Sequence, residues 1–256
     1  MRLGTSVLVL GVLFLGGWFW FDREEISRSE ELLPKTSDVA ETIIQTEEKP
    51  EIIVEPKVTV PIVSVIHPVP FTSQAPTGDW SQSSFQDGCE EASTLMVWMA
   101  REGKKLTREE VKAKLIDMAA FQTKLIGHGV DTDAADTHEY LLKQYFDLTE
   151  TQVVYDFDLA ELKEVVMTHL VIVPTNGRAL GNPNFTAPGP LQHMLVIKGY
   201  DMTTREFITN DPGTRKGGGY RYPEEILYAA IREYPTGKHL SITIQRKAML
   251  VVPIGS

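Results

Sequence analysis

Cys89 is the only cysteine of the 256-residue chain, and it stands where the pattern predicts the first helix of the folded domain to begin. Unpaired amides and the macrodipole at a helix N-terminus favour negative charge, so a thiol there ionises more easily and becomes a better nucleophile. Glu90 and Glu91 follow Cys89 directly, and their negative charges would oppose the negative charge of a thiolate. The thiolate therefore requires a cationic partner. A buried, inert cysteine is the alternative interpretation.

His193 is the histidine best placed to be that partner. It follows a loop rich in Gly, Pro and Asn over 176–190 and directly precedes the most apolar predicted strand, and such junctions often hold catalytic groups. The remaining histidines are expected to be exposed or structurally satisfied: His67, His128, His138, His169 and His239.

A predicted hairpin brings a carboxylate beside this histidine. Strands over 194–200 and 205–210, joined by a short turn, place His193 across from Asp211 or Pro212. Asp211 could then accept a hydrogen bond from one ring nitrogen and orient the other toward the sulfur. Asn210 is its rival, because neighbouring side chains on a strand point to opposite faces. The alternative is that residues 210–213 form only a turn.

Along the chain, the predicted helices come first and most of the predicted strands follow them. A capping box at Thr107 and Glu110 begins one predicted helix, and a second box is predicted at Asp158 and Glu161. The order predicts an α+β fold in which N-terminal helices pack on a C-terminal antiparallel sheet. The predicted helices cover 88–101, 107–121, 134–146, a stretch from 158 and 223–233; the strands cover 171–173, 194–200, 205–210 and part of 240–253.

The N-terminal part of the chain has a different composition. Residues 4–21 are apolar or small without a charge, and the bulky aromatic residues before Asp22 leave no small-residue cleavage site. Residues 1–21 are therefore predicted to form an uncleaved signal anchor that exports the remainder, with a cleaved signal peptide as the alternative. Residues 22–65, rich in Glu and Pro, are predicted to form a solvated linker, and 66–256 the folded domain.

Charge and cysteine count restrict the partners. With a net charge of −10, the chain is not expected to have a large basic surface that binds nucleic-acid phosphates, so nucleic acid is not an expected partner. No Cys/His cluster has the spacing of a structural zinc site, and thiol chemistry needs neither a metal nor an organic cofactor.

Four segments together resemble the bacteriocin-processing, double-glycine peptidase-like family of papain-like cysteine peptidases. The segments are Val69-Pro-Phe-Thr-Ser-Gln74, Asp87-Gly-Cys-Glu-Glu-Ala-Ser93, His193-Met-Leu-Val-Ile-Lys-Gly-Tyr-Asp201 and Asn210-Asp-Pro-Gly213. The resemblance implies a papain-like fold for the domain.

The same resemblance implies roles for single residues. Cys89 is the nucleophile, His193 the general base and acid, and Asp211 the orienting carboxylate. Gln74 supplies the oxyanion hole together with the backbone amide of Cys89. Gln74 lies further from the cysteine than the family's glutamine commonly does, so Gln82 and Gln86 remain competitors.

The function expected from the sequence is that of a bacterial, membrane-anchored cysteine peptidase whose catalytic domain is extracytoplasmic. It is expected to hydrolyse a peptide or isopeptide amide through a Cys-His-Asp triad, and cell-wall peptides are among the candidate substrates. The alternatives are a papain-like peptidoglycan amidase or endopeptidase, and a catalytically inert tethered binding module of the same fold. The run of three glycines over 217–219 is expected to be a mobile loop near the site.

Overall fold

The computed structural model describes residues 63–243 and 245–255. The predicted anchor over 1–21 and almost all of the predicted linker over 22–65 lie outside this range. Within it, no helix is long and apolar enough to cross a membrane. The chain joins the sheet at β1, Val65–Ile66, where Val65 pairs with Tyr200.

Of the first three helices, α2 and α3 were predicted and α1 was not. Helix α1, Ser83–Gln86, is a short turn before α2, Cys89–Arg101, whose N-cap is Gly88. Helix α3, Arg108–Ile126, begins with the predicted capping box, because Thr107 and Glu110 each bond the other's backbone amide. It extends five residues beyond the predicted end, until Gly127 adopts the left-handed conformation at φ +83° and stops it.

The later helices are shorter and lie between strands. A turn α4, Ala134–Asp136, is capped by Asp133 and continues as the π-helix Thr137–Tyr145. The predicted box at Asp158 and Glu161 starts α5, Leu159–Val166. The remaining helices are α6, Gly177–Leu180, and α7, Glu224–Ala230. The last ends before the predicted residue 233, because the chain turns extended at Ile231 and bridges to Thr175.

One antiparallel sheet carries the strands. After β1, its strands are β2 Gln152–Tyr155, β3 His169–Thr175, β4 His193–Asp201, β5 Glu206–Asn210, β6 Gly218–Pro223 and β7 Ala248–Pro253. Their order in the sheet is β2-β7-β3-β4-β5-β6, and β1 pairs with β4 beside this path. The predicted hairpin is present as β4 and β5, and β7 is the one strand that the described residues of 240–253 form.

Helices cover both faces of this sheet. Met194 and Val196 of β4 join an apolar cluster that contains the buried side of α2, whereas Leu195 and Ile197 join a second cluster with α5 and α7. Successive side chains of a strand point to opposite faces, so the continuous apolar run 194–197 fits a strand that is buried on both sides. The fold is α+β, as the order of helices and strands predicted.

The expectation of a mobile loop over 217–219 is wrong. Residues 218 and 219 begin β6, and the carbonyl of Gly217 accepts a hydrogen bond of 3.0 Å from the amide of Asp211. A Cβ on Gly217 would lie 1.8 Å from the carbonyl oxygen of Asp211. The glycine is therefore required for a close approach of two backbones, not for flexibility.

Candidate active site

Cys89 is the first residue of α2, and it is buried. Gly88 precedes it at a place where a Cβ would lie 2.5 Å from the carbonyl oxygen of Ser84, so only glycine allows the chain to turn this tightly into the helix. Ser93, one turn further along, donates from its hydroxyl to the carbonyl of Met194 at 3.3 Å. This bond and the apolar packing fix α2 against β4.

His193 is the first residue of β4, and it is held by Asp211. Its Nε2 lies 2.8 Å from Asp211 Oδ1, and both side chains are almost fully buried. Because an ionised carboxylate can only accept, Nε2 is the donor and Nδ1 stays available. The rival Asn210 points elsewhere, since its amide nitrogen donates to the carbonyls of Val69 and Pro70.

The carboxylate of Asp211 is surrounded by donors. Tyr222 donates from its hydroxyl at 2.6 Å, Asn182 from its amide at 3.2 Å and Gly213 from its backbone at 3.0 Å. Burial raises the pKa of Asp211, but the charge of His193 and these hydrogen bonds outweigh burial and lower it below its usual value. Asp211 is therefore ionised at neutral pH and can stabilise an imidazolium.

Cys89, His193 and Gln74 line the same cavity, which has a volume of about 1270 Å³. The ring of Phe185 packs edge-on against the imidazole, with 5.3 Å between ring centroids. The thiol and the imidazole therefore border the same cavity, although only 3% of the Cys89 surface and 1% of the His193 surface are exposed.

The resting thiol is not activated in the way its helix position predicted. Its Sγ donates to Glu90 Oε2 at 3.1 Å, and Tyr234 donates to the other carboxylate oxygen at 2.6 Å. Burial, together with the charges of Glu90 and Asp131, raises the pKa of Cys89, against a smaller opposing effect from the backbone amide of Met194. The lowering of the thiol pKa that the helix position predicted is therefore wrong for this resting state, in which burial is the largest influence and raises that pKa.

Glu90 and Glu91 are buried carboxyl groups. Burial and the charge of Asp131 raise the pKa of Glu90 to about 8, and burial and the charge of Glu90 raise the pKa of Glu91 well above its ordinary value. At neutral pH Glu90 is largely protonated. At neutral pH the thiol therefore has a mostly uncharged neighbour, and Glu90 repels a thiolate only at higher pH, where its own carboxyl group ionises.

Gln74 lies at the cavity with its amide nitrogen already engaged. Nε2 donates to the carbonyls of Phe85 and Gln86, each at 3.0 Å, while Oε1 is buried and has no hydrogen-bond partner in the part of the chain that the structure describes. The backbone amide of Gln74 donates to Pro212, which ties this segment to the turn after Asp211. Of its competitors, Gln86 also lines the cavity, but its amide donates to the carbonyl of Trp80.

A second polar cluster on the cavity wall was not foreseen. His239 Nδ1 lies 3.4 Å from Asp131 Oδ2, and His239 Nε2 lies 3.7 Å from Asp87 Oδ1. One donor atom from each of the three residues falls within 4.8 Å of the others, a set that could hold a metal ion. Burial and the charge of Asp87 raise the pKa of Asp131 to about 6, and His239 partly opposes them.

Sequence reasoning missed the residues that come from distant segments. Tyr222 and Asn182 hold Asp211, and Tyr234 holds Glu90, but neither periodicity nor motif spacing connects them to the site. Only an expected pairing of β5 with the strand after it could have suggested Tyr222.

The comparison with protein families agrees with this geometry. No protein among the curated sequences is significantly similar to the chain. The model of the Peptidase_C39 like family matches residues 66–238, which is more than half of the chain. The chain therefore belongs to the Peptidase_C39 like family, a family of papain-like cysteine peptidases, as the four sequence segments had indicated.

Proposed function

We propose that the protein is a membrane-tethered, extracytoplasmic cysteine peptidase that hydrolyses a peptide or isopeptide amide with Cys89, His193 and Asp211. One observation carries the proposal: the only thiol of the chain opens into the same cavity as an imidazole held by a buried, ionised carboxylate. This is the constellation of a nucleophile, a base and an orienting group.

In the proposed reaction, the thiol turns from Glu90 toward His193 and transfers its proton to Nδ1. The thiolate attacks the carbonyl carbon of the substrate, and the imidazolium, stabilised by Asp211, returns the proton to the leaving amine. The carbon–nitrogen bond breaks and a thioester remains. Water, deprotonated by His193, then attacks the thioester and releases the acid and the free thiol.

The tetrahedral intermediate needs donors for its oxyanion. The backbone amide of Cys89 is free of intrahelical bonds because it lies at the first position of α2. Gln74 contributes the second donor when its Nε2 exchanges one of its two carbonyl partners for the oxyanion. A missing donor of this kind costs about two to three orders of magnitude in rate, so Gln74→Ala should lower kcat by about that factor.

The membrane location rests on sequence alone. The uncharged run over 4–21 and the aromatic residues before Asp22 support a signal anchor. The test is expression of the full chain in bacteria, followed by carbonate extraction of membranes and protease treatment of intact spheroplasts. Membrane retention together with digestion from outside supports the proposal. A carbonate-soluble or protected full-length protein contradicts it.

The catalytic test compares three alanine variants of the full-length chain. Cys89→Ala and His193→Ala should each lower peptide hydrolysis by about a thousandfold or more. His128→Ala is the matched control, because His128 is exposed and absent from the cavity wall. Retained turnover in the cysteine or the histidine variant contradicts the triad.

Two further readouts separate the alternatives. Zymography on purified peptidoglycan beside a peptide library distinguishes a cell-wall amidase from a peptidase of soluble peptides. Iodoacetamide distinguishes either enzyme from an inert binding module. A Cys89 thiol that transfers its proton to His193 is alkylated near neutral pH, and the thiol of the His193→Ala variant reacts more slowly. Equal, very slow alkylation of both proteins favours the inert module.

A further inference from the structure

The cavity beside Cys89 and His193 has an unusual charge distribution. Arg178, Arg215, Lys216 and Arg232 all line it, although acidic residues outnumber basic ones in the chain, 35 to 25. Within residues 63–243 and 245–255, none of these four cations has a carboxylate within ion-pair distance. Arginines elsewhere do: each of Arg101, Arg205, Arg221 and Arg246 lies within 4 Å of a carboxylate.

Arg232 has the least satisfied side chain of the four. Its backbone amide is anchored to Pro174 at 3.0 Å, and its side chain donates from Nη2 to the carbonyl of Leu191 in a long bond of 3.4 Å. Its Nε is buried and has no hydrogen-bond partner among the described residues. A buried donor without a partner is costly, and an anionic ligand would remove that cost.

These cations are attached to the two segments that carry the histidine and its carboxylate. Arg178 donates from Nε to Gly189 at 3.1 Å, and Gly189 and Leu191 belong to the loop that ends at His193. Arg215 and Lys216 follow Asp211 in the turn before β6. An anion bound by these groups would therefore lie near the reacting bond.

Two carboxylates also line the cavity. Asp87 and Asp131, which lie with His239, repel a negative ligand. A substrate with a carboxylate is thereby directed toward the arginines, and arginine is well suited to carboxylate recognition because its fork of N–H donors matches the two oxygens.

We propose that this cavity selects acidic peptides, and that Arg232 and Arg178 bind a carboxylate of the substrate, from an Asp or Glu side chain or a terminal carboxyl group, close to the scissile amide. The inference rests on the proposed peptidase function and adds its substrate class. Arg215 and Lys216 contribute long-range attraction, so association weakens as salt rises.

The first arm of the test measures hydrolysis by the full-length chain. Internally quenched peptides are made in matched triplets that differ only by Glu, Gln or Lys at one of four positions around the scissile bond. For at least one position, kcat/KM should be about tenfold or more higher for Glu than for Gln, and lowest for Lys. Equal hydrolysis of the three peptides at every position overturns the inference while it leaves the peptidase function standing.

The second arm uses arginine variants. Arg232→Gln and Arg178→Gln should bring the Glu-to-Gln ratio toward one, and Arg178→Glu should shift the preference toward Lys. Arg108→Gln is the matched control: Arg108 is exposed at the start of α3, has no ion pair among the described residues and does not line the cavity. An unchanged ratio in folded Arg232→Gln and Arg178→Gln proteins overturns the assignment.

The third arm does not depend on turnover. Binding of fluorescein-labelled forms of the same triplets to the Cys89→Ala chain is measured by anisotropy at low and high salt. Tighter, salt-sensitive binding of the Glu peptides supports the carboxylate subsite even where hydrolysis fails. In that case the peptidase proposal alone falls. Equal binding of all three peptides overturns the subsite.

Discussion

The substitution Glu90→Gln tests the least expected feature of the site, a buried carboxyl group bonded to the nucleophile. In the structure the Cys89 thiol donates to one carboxylate oxygen at 3.1 Å and the Tyr234 hydroxyl to the other at 2.6 Å. Glutamine keeps the shape of the protonated acid; its single oxygen accepts from one of these two groups, and its amide nitrogen donates to the other. The substitution removes a carboxyl group that gains or loses a proton. Its effects on stability and on thiol reactivity must therefore depend on pH, whereas the effect of a packing defect would not.

The stability effect follows from the raised pKa of Glu90. In the unfolded chain this carboxyl ionises near 4.5, whereas in the native state its pKa is about 8. The native state thus keeps a proton that the unfolded state loses, so the stabilising contribution is complete below pH 4.5 and is lost by about pH 8. The shift corresponds to about 5 kcal/mol, or roughly 3 kcal/mol between pH 5 and pH 7.5.

The chemical effect follows from the distance to sulfur. Two unit charges 3.1 Å apart at an effective dielectric constant of about 20 repel by about 5 kcal/mol, so ionised Glu90 strongly opposes the thiolate. Even a third of this repulsion, left after the side chains relax, changes the thiol pKa by about one unit. Alkylation of Cys89 at pH 8.5 should therefore be about tenfold faster in Glu90→Gln than in the unsubstituted protein.

The assays are urea unfolding between pH 5 and pH 8 and iodoacetamide alkylation over the same range extended to pH 9. Glu91→Gln is the matched control, because Glu91 is equally buried but its carboxylate makes no hydrogen bond to the sulfur in the described structure. Glu91→Gln should make the free energy of unfolding less dependent on pH, but it should change the alkylation rate of Cys89 less than Glu90→Gln does. If the free-energy difference between Glu90→Gln and the unsubstituted protein is the same at pH 5 and pH 7.5, the account of this carboxyl group is wrong.

Three further changes test other parts of the structure. Asp211→Asn should lower kcat by two to four orders of magnitude, because an amide does not stabilise charged His193 as the carboxylate does. Adding Asn210→Asp to this variant tests whether a carboxylate at the neighbouring position can substitute. A small loss of kcat in Asp211→Asn would contradict the triad. Gly217→Ala should lower the free energy of unfolding in urea by about 2 kcal/mol or more, since its Cβ meets the Asp211 carbonyl at 1.8 Å, and an unchanged midpoint would refute the close approach. Thr107→Ala removes the capping box and should cost about 1 kcal/mol in the same assay, without a change in kcat.

Local signals predicted the helices well. The capping box at Thr107 and the apolar spacing after Gly88 describe interactions within a few residues, so the sequence contains all that is needed to find α2 and α3. Strands β2 and β6 were not predicted, because their residues are mostly half-buried or exposed and form strands by pairing with other strands. Strand β2, for example, pairs with β7, about a hundred residues away, and with no other strand of the described residues.

The site divides in the same way. The β4–β5 hairpin is local, so the approach of Asp211 to His193 could be inferred from spacing. The pairing of Cys89 with His193 followed from the places of the two residues at the starts of predicted elements and from the family resemblance. The pKa of Glu90 could not be inferred, because it depends on Tyr234 and Asp131, which reach the start of α2 from other parts of the chain. Desolvation is a property of the packed state.

The packing of a helix against a strand places Cys89 and His193 on the wall of one cavity. Cys89 is the first residue of α2 and His193 the first of β4, and these elements share an apolar cluster that includes Leu95, Met96 and Met194. Close packing prevents the helix from sliding along the strand, so the separation of sulfur and imidazole is set by the core. Because both residues stand at the very beginnings of their elements, they lie where the core ends and the cavity starts. The same packing that fixes their geometry also removes water from the thiol, which explains why a well-ordered site here holds a resting sulfur with a raised pKa.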